Sequence, residues 1–472
     1  MRHILFFNLF LICHTVLIAQ PKQEVRAAWV ATVFSLDWPK QTIKNAEAQQ
    51  KELIVIFDKL KKANFNTVFF QVRLRGDVIY NSRYEPVNRN IAFSPQYDPL
   101  SFAVEECHKR GLELHAWFTP YNLGRDHKSP TICNHTDIVK SCKSKNKNGE
   151  YYFDPGEPQT NQYLLSLITE LVSNYDIDGF HFDRIRYPDA GEDFDDFPTF
   201  RKYSNGQNTR TWRRENINTF VYAVYDAIKA IKPWVQVSSS VVGVYSNLPS
   251  VARSYLKAYD DAYQDPADWL KKGKHDFIVP MMYFTNDLFL PSLNEWMDYS
   301  SGRFIVPGLG IFKLDENEGN WPPEWITRQI QFSRANNAQG NAFFRTLFLT
   351  ENKKGILDEL IRNYYTNPAL LYPLKWLKDT PPTPPADPEI KKTGNTVQLQ
   401  WQELKNSNNE KVFYNVYCSP FTPVDISNPK NIIATRLETT SLPIKNPSGY
   451  YYVITSYDRY HNESIASEEV YL

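Results

Sequence analysis

Between residues 25 and 349 the chain alternates eight times between a short apolar run and a segment with helical spacing. The apolar runs occupy residues 25–33, 67–73, 112–120, 179–185, 235–243, 277–284, 305–313 and 341–349. Several are nearly continuous, the pattern of parallel strands covered on both faces. Between them Leu53, Ile56, Phe57 and Leu60 recur at helical intervals, as do Leu100, Ala103, Val104 and Cys107. Leu164, Leu167, Ile168 and Leu171 repeat the spacing, followed by Ile217, Phe220, Val221 and Val224. Asp98 and Pro99 open the second of these helices and Gly111 closes it, which sends Cys107 into the core. Strand then helix, eight times over, predicts a closed (β/α)8 TIM barrel. A doubly wound open sheet is the alternative. Its dinucleotide-binding form is disfavoured, because no Gly-rich phosphate loop follows the first run.

The ends of the chain read differently. Arg2 precedes a mostly apolar stretch over residues 4–18, and Ala19-Gln20 offers a cleavage point, so residues 1–19 are expected to be an export signal peptide. The run is short for a membrane span. Cys13 lacks the small neighbours of a lipoprotein site, so no lipid anchor is expected, and no later segment reads as transmembrane. The barrel is assigned to residues 20–377. Residues 378–388 hold five prolines in eleven positions, which makes a stiff extended linker. Beyond it the period changes to two, as in Thr396-Val397-Gln398-Leu399-Gln400-Trp401, with further strand candidates at 414–418 and 451–456. Residues 389–472 are therefore expected to form a small antiparallel immunoglobulin-like sandwich.

Lys plus Arg and Asp plus Glu each number 53, so formal charge is zero and no basic excess exists to hold nucleic acid or an anionic membrane. Aromatic residues make up 15% of the chain, which suits ring stacking on sugars, although core packing accounts for most of them. Beyond the leader the cysteines are Cys107, Cys133, Cys142 and Cys418. Cys133 and Cys142 either pair in an oxidising compartment or remain free thiols. The nine histidines are scattered and no Cys/His spacing resembles a zinc site, so neither a metal nor a cofactor is expected. Serine-hydrolase and zinc-hydrolase motifs are missing from the sequence.

In a (β/α)8 barrel the reactive groups lie at the C-terminal ends of the strands. The fourth run, Asp178-Gly179-Phe180-His181-Phe182-Asp183-Arg184-Ile185-Arg186-Tyr187-Pro188, places His181 and Asp183 on one face, with Asp183 at the mouth beside Arg186 and Tyr187. A carboxylate there suits acid, base or nucleophile work on a glycosidic bond. Bracing the mouth by pairing with an arginine is the plainer role. The second run ends in Gln71 and Arg73, of which Arg73 is expected to neutralise Asp183 or hold a substrate hydroxyl. Asp77, after Gly76, is a candidate second carboxylate or simply a turn residue. The third run carries His115, Trp117 and Thr119 on one face and leads to Tyr121. Trp117 and Tyr121 are natural sugar platforms, whereas His115 reads first as a hydrogen-bonded core residue. Asp154 is expected to cap the next helix, with reaching the site as the alternative. Tyr283, near the end of the sixth run, is expected to contact ligand, and Trp38, after the first, to line the same mouth.

Several blocks resemble the glycosyl-hydrolase-like family 10. They are Val25-Arg26-Ala27-Ala28-Trp29-Val30-Ala31-Thr32-Val33 with Asp37-Trp38-Pro39, Phe70-Gln71-Val72-Arg73 with Gly76-Asp77, and Tyr97-Asp98-Pro99-Leu100. The run from His108 to Trp117, Asp154-Pro155-Gly156, and Asp178-Gly179 leading to His181-Phe182-Asp183 and Tyr187-Pro188 follow in the family's order. The resemblance implies a (β/α)8 fold, export to the cell envelope and cleavage of O-glycosidic bonds in a polysaccharide such as peptidoglycan glycan strands, with Asp183 at the family's acidic position. Two positions depart from the pattern. Arg184 stands where a second acid often follows, and Met281 where a glutamine is common. They keep open a second reading, a non-catalytic glycan-binding envelope protein on the same fold. The tail from about residue 388 resembles a fibronectin type III module, with Trp401 as its second-strand tryptophan.

Overall fold

The computed structural model describes residues 19–40, 44–124, 143–145, 150–188, 194–250, 255–394, 396–404, 411–444 and 448–472. The strands of the barrel are Val25–Val30, Thr67–Arg73, Glu113–Phe118, Gly179–Phe182, Gln236–Val242, Phe277–Met281, the two pieces Phe304–Ile305 and Gly308–Leu309, and Gly340–Phe343. Each pairs in parallel with the next, and Gly340–Phe343 pairs back on the first strand with Val25 opposite Gly340. The two short pieces share one position in the ring, so eight staves close it. Gly340 permits the seam: its φ is +142°, and a Cβ there would lie 2.0 Å from the carbonyl oxygen of Val25.

Period-two geometry splits each strand between two cores. Ala27, Trp29, Ala31, Phe69, Trp117, Phe277, Val279 and Ala342 fill the barrel interior. Ala28, Val30, Val68, Phe70 and Val72 point outward, where Leu53, Phe57 and Leu60 of the helix Ala46–Lys62 cover them. Helix starts are fixed by side chains: Asn45 accepts from the Ala48 amide, Asp98 from Leu100 and Ser101, and Asn208 from Thr211. Cys107 is fully buried on the inner face of the helix Pro99–Lys109, and burial pushes its thiol well above the usual range.

Every strand but the second is shorter than its apolar run, and the last two are cut short by a local break. The seventh is broken at Pro307, which has no N–H to donate, and turns into a 3-10 helix at Ile311–Leu314. The eighth stops at Phe343 and continues as the helix Thr346–Thr350. Residues 1–18, and with them most of the expected signal peptide, lie outside the described residues, as do Cys133 and Cys142.

After residues 378–388, which carry no regular structure, come two antiparallel sheets. One contains Glu389–Thr393, Thr396–Gln400 and Ser441–Pro443, and the other Ile432–Leu437, Val412–Ser419, Tyr451–Asp458 and Val470–Tyr471. They share a core of Leu399, Trp401, Tyr414, Val416, Tyr452 and Ile454.

This module sits against the N-terminal ends of the barrel strands, the end away from the mouth. Arg436 reaches Asp178, just ahead of the fourth strand, and lies 3.7 Å from Glu113, the first residue of the third. His461 Nε2 lies 2.7 Å from Glu113, and His108 Nε2 lies 2.8 Å from Asp178. Burial by itself raises both carboxyls, yet Arg436 and His108 pull Asp178 well below the usual carboxylate range, and His461 and Arg436 pull Glu113 down. Depressed carboxyls lend stability that is present above the unfolded value near pH 4 and lost as pH falls through the folded one. Removing Arg436 leaves two buried carboxylates short of a counter-ion. Arg436→Ala should lower unfolding free energy at pH 7 by about 3–5 kcal/mol in denaturant titration, and it should lose less further stability than the wild type on acidification below about pH 4.

Candidate active site

A cleft of about 400 Å³ opens where the strands end. Trp29, Gln71, Trp117, Asp183, Ser240, Met281, Tyr283 and Phe344 line it from the strand ends, and Phe34, Arg75, Asn122, Glu150, Arg184 and Arg186 from the loops. Asp183 follows the fourth strand directly. Its amide donates to Phe118 O of the third strand at 2.9 Å, and its Oδ1 accepts from Ser240 Oγ of the fifth at 2.8 Å. Two neighbouring strands thus fix a half-buried carboxylate in the cleft.

The floor beneath is polar but uncharged. Trp29 Nε1–H donates to His181 Nε2 at 3.2 Å, so the ring proton lies on Nδ1, which donates to Ser238 Oγ at 2.8 Å. Burial, aided by His115 and His275, holds the His181 imidazole well below its usual pKa and therefore neutral. Its ring stacks on Phe69 at 4.1 Å. Gln71 Oε1 accepts from the amides of Thr32 and Val33 at 3.0 and 2.9 Å, which fixes the amide plane and leaves its NH₂ without a protein partner among the described residues. Tyr283 stacks on Phe344 at 5.6 Å, and burial together with the charge of Asp183 holds its phenol protonated.

Of the residues singled out from sequence, Gln71, Trp117, Asp183, Arg186 and Tyr283 meet in this cleft. Trp117 is only 4% exposed, and its Nε1 is buried with no hydrogen-bond partner among the described residues, so it walls the cleft without presenting a stacking face. Arg73, expected near Asp183, is instead fully buried. Its Nε and Nη2 donate to Glu85 at 2.8 and 2.6 Å, and its Nη1 donates to Pro120 O at 3.0 Å. It ties the second strand to the loop after the third. His115 lies deeper in the barrel against Glu113 at 3.2 Å. Tyr121 and Tyr187, expected at the mouth, are buried. Tyr121 packs on Phe220 at 5.8 Å, and the Tyr187 hydroxyl accepts from Asn216 at 2.9 Å. Trp38 lies under the first helix, donating to Gln49 O at 2.9 Å. Asp154 accepts from the Gly156 amide at 2.9 Å and does not cap the following helix, whose N-cap is Glu157.

Asp77 is not among the lining residues. It closes the turn after Gly76, accepting from Asn88 Nδ2 at 2.6 Å. The second carboxylate that lines the cleft is Glu150, which accepts from the Tyr152 hydroxyl at 3.1 Å. No motif marks Glu150 or Arg75, because both stand in loops without periodicity. Trp29 was readable, since it shares its strand face with Ala27 and Ala31.

Burial pushes Asp77 and Asp154 each up to about 6. The folded chain therefore holds more protons than the unfolded one between about pH 4 and 6, and this share of stability is complete below that window and lost as pH rises through it. Asp77→Asn should flatten the dependence of unfolding free energy on pH between about 4 and 6, as read from denaturant titrations across that range.

The model of the glycosyl hydrolase-like 10 family matches residues 24–303. Glycosyl hydrolase YngK of Bacillus subtilis (strain 168) is 31% identical over 95% of this chain and 94% of its own length. Glycosyl hydrolase DigH of Escherichia coli (strain K12) is 34% identical, over 56% of this chain and 66% of its own. Among solved structures, the PgaB (BpsB) glycoside hydrolase domain from Bordetella bronchiseptica has a TM-score of 0.53 at 12% identity, covering 72% of this chain and 99% of that domain. That last likeness concerns the fold.

Proposed function

The chain belongs to the glycosyl hydrolase-like 10 family, and on that premise we propose that it is an exported glycoside hydrolase cleaving O-glycosidic bonds of a polysaccharide, peptidoglycan glycan strands being the first to test. The observation that carries this reading is Asp183, held by two strands in an aromatic-lined cleft at the end of a (β/α)8 barrel where such chemistry is done. The relatives' names, glycosyl hydrolase, agree with it. In this reading Asp183 acts as acid, base or nucleophile on the scissile bond. Gln71 NH₂ donates to a sugar oxygen, and the Tyr283 phenol, kept protonated by burial and by the charge of Asp183, lines the same cleft. Glu150, the other carboxylate among the lining residues, is the partner of Asp183 in this reading. Asp77, the partner expected from sequence, does not line the cleft.

The remaining assignments belong to the same proposal. Residues 1–19 direct export, 20–377 form the catalytic barrel, 378–388 the linker and 389–472 a fibronectin type III-like module. Among the described residues no helix is long and apolar enough to cross a membrane.

Three arginines and two carboxylates line the cleft, and this balance favours a second reading, glycan binding without cleavage. One experiment separates the two. Purified protein incubated with peptide-free peptidoglycan strands should release new reducing ends, and Asp183→Asn should cut that rate by at least about 100-fold while the strands still bind. Equal rates for variant and wild type would remove Asp183 from the mechanism. Binding without release by the wild type would establish the second reading.

A further inference from the structure

Arg75 follows the second strand by two positions and stands at the rim of the cleft. Its guanidinium lies over the ring of Phe34, 4.0 Å from the centroid. Phe34 is itself 59% exposed, so it offers this cation a face that the core does not need. On its other flank is Gly124, at φ +81°, where a Cβ would sit 3.1 Å from Arg75 Cδ and 3.6 Å from Nη1. The side chain is thus cradled between an aromatic ring and a bare backbone. Yet its guanidinium donates no hydrogen bond and joins no ion pair among the described residues. The contrast with other arginines is sharp. Arg26 pairs with Glu24, Arg73 with Glu85, Arg213 with Asp196 and Arg436 with Asp178. Burial lowers the pKa of Arg75, and the charge of Glu150 offsets this only in part.

A guanidinium held by its face keeps its in-plane N–H groups for a ligand, and their fork matches the two oxygens of a carboxylate. Resting on the reading of the cleft as a glycan-cleaving site, we propose that Arg75 is a specificity-determining residue that binds a carboxylate carried by a sugar next to the scissile bond. That carboxylate belongs to either a uronic acid or a lactyl ether. Arg184 and Arg186 add positive charge along the same wall, so an acidic glycan meets a favourable field. A neutral glycan would leave the cation without an anion.

The test uses the full chain and two probes, peptide-free peptidoglycan strands, whose acid is a lactyl ether, and a polyuronate oligomer. Each is offered native and with its carboxyls methyl-esterified. On the preferred probe the wild type should lose roughly 10- to 100-fold in kcat/KM on esterification, mostly through KM. Arg75→Gln should lose a similar factor on the native probe, and its native-to-ester ratio should fall to near one. Arg75→Lys, which keeps the charge but not the fork, should lie between. Matching thermal melts of Arg75→Gln and wild type confirm that the fold is intact. Retention of the wild-type preference by Arg75→Gln, or no preference in the wild type, overturns the proposal. If the wild type cleaves neither probe, the hydrolase reading fails by itself. The affinities of wild type and Arg75→Gln for native and esterified strands then decide Arg75 separately.

Discussion

Backbone hydrogen bonding between the eighth strand and the first holds the barrel shut, and the placement of every side chain in the cleft follows from it. Only in a closed ring do strands one, two, four and six deliver Trp29, Gln71, Asp183 and Tyr283 to a common opening. The seam tolerates no side chain at its first pair, because Gly340 presses on the Val25 backbone at a φ that other residues avoid. A closed sheet also removes the exposed edges that an open parallel sheet would have to cover. The interior then fills with alternate residues, and the polar column of Trp29, His181 and Ser238 sits directly below the carboxylate.

Much of this was legible in the amino-acid order. Eight apolar runs at βα spacing gave the ring, and Asp183 could be placed at the mouth because period two and the strand end fix its height. Height is what periodicity handles worst. Tyr121 and Tyr187 lie near strand ends, as the pattern says, but Phe220 packs on the first, and Phe194, Tyr263 and Arg213 surround the second, so both are buried. Arg73 was expected to meet Asp183 or a substrate hydroxyl, whereas its partner Glu85 comes from a loop twelve residues on, whose path no repeat encodes. Glu150 and Arg75 stayed invisible for the same reason. The broken seventh strand was foreshadowed by Pro307 inside its apolar run, a local signal outweighed by the hydropathy around it.

Charge is organised differently at the two ends. Below, acids and bases are matched in contact and shut away from water: Asp178 with Arg436 and His108, Glu113 with His461 and His115. Ion pairs of that kind specify one geometry more than they add net stability. Above, Arg75 at the opening is held by the Phe34 ring and the bare backbone of Gly124 instead of by an acid.

The bottom end has an evolutionary corollary. Domains joined by a proline-rich tether are usually traded between proteins as independent beads. Here one bead supplies the cations that neutralise acids belonging to the other, so a recombined gene carrying this barrel with a foreign tail would inherit two stranded charges. Such shuffling should be viable only where the incoming tail brings its own arginine and histidine to the same spots, or where the barrel has already exchanged those acids for neutral residues. The tether therefore joins partners that must change together.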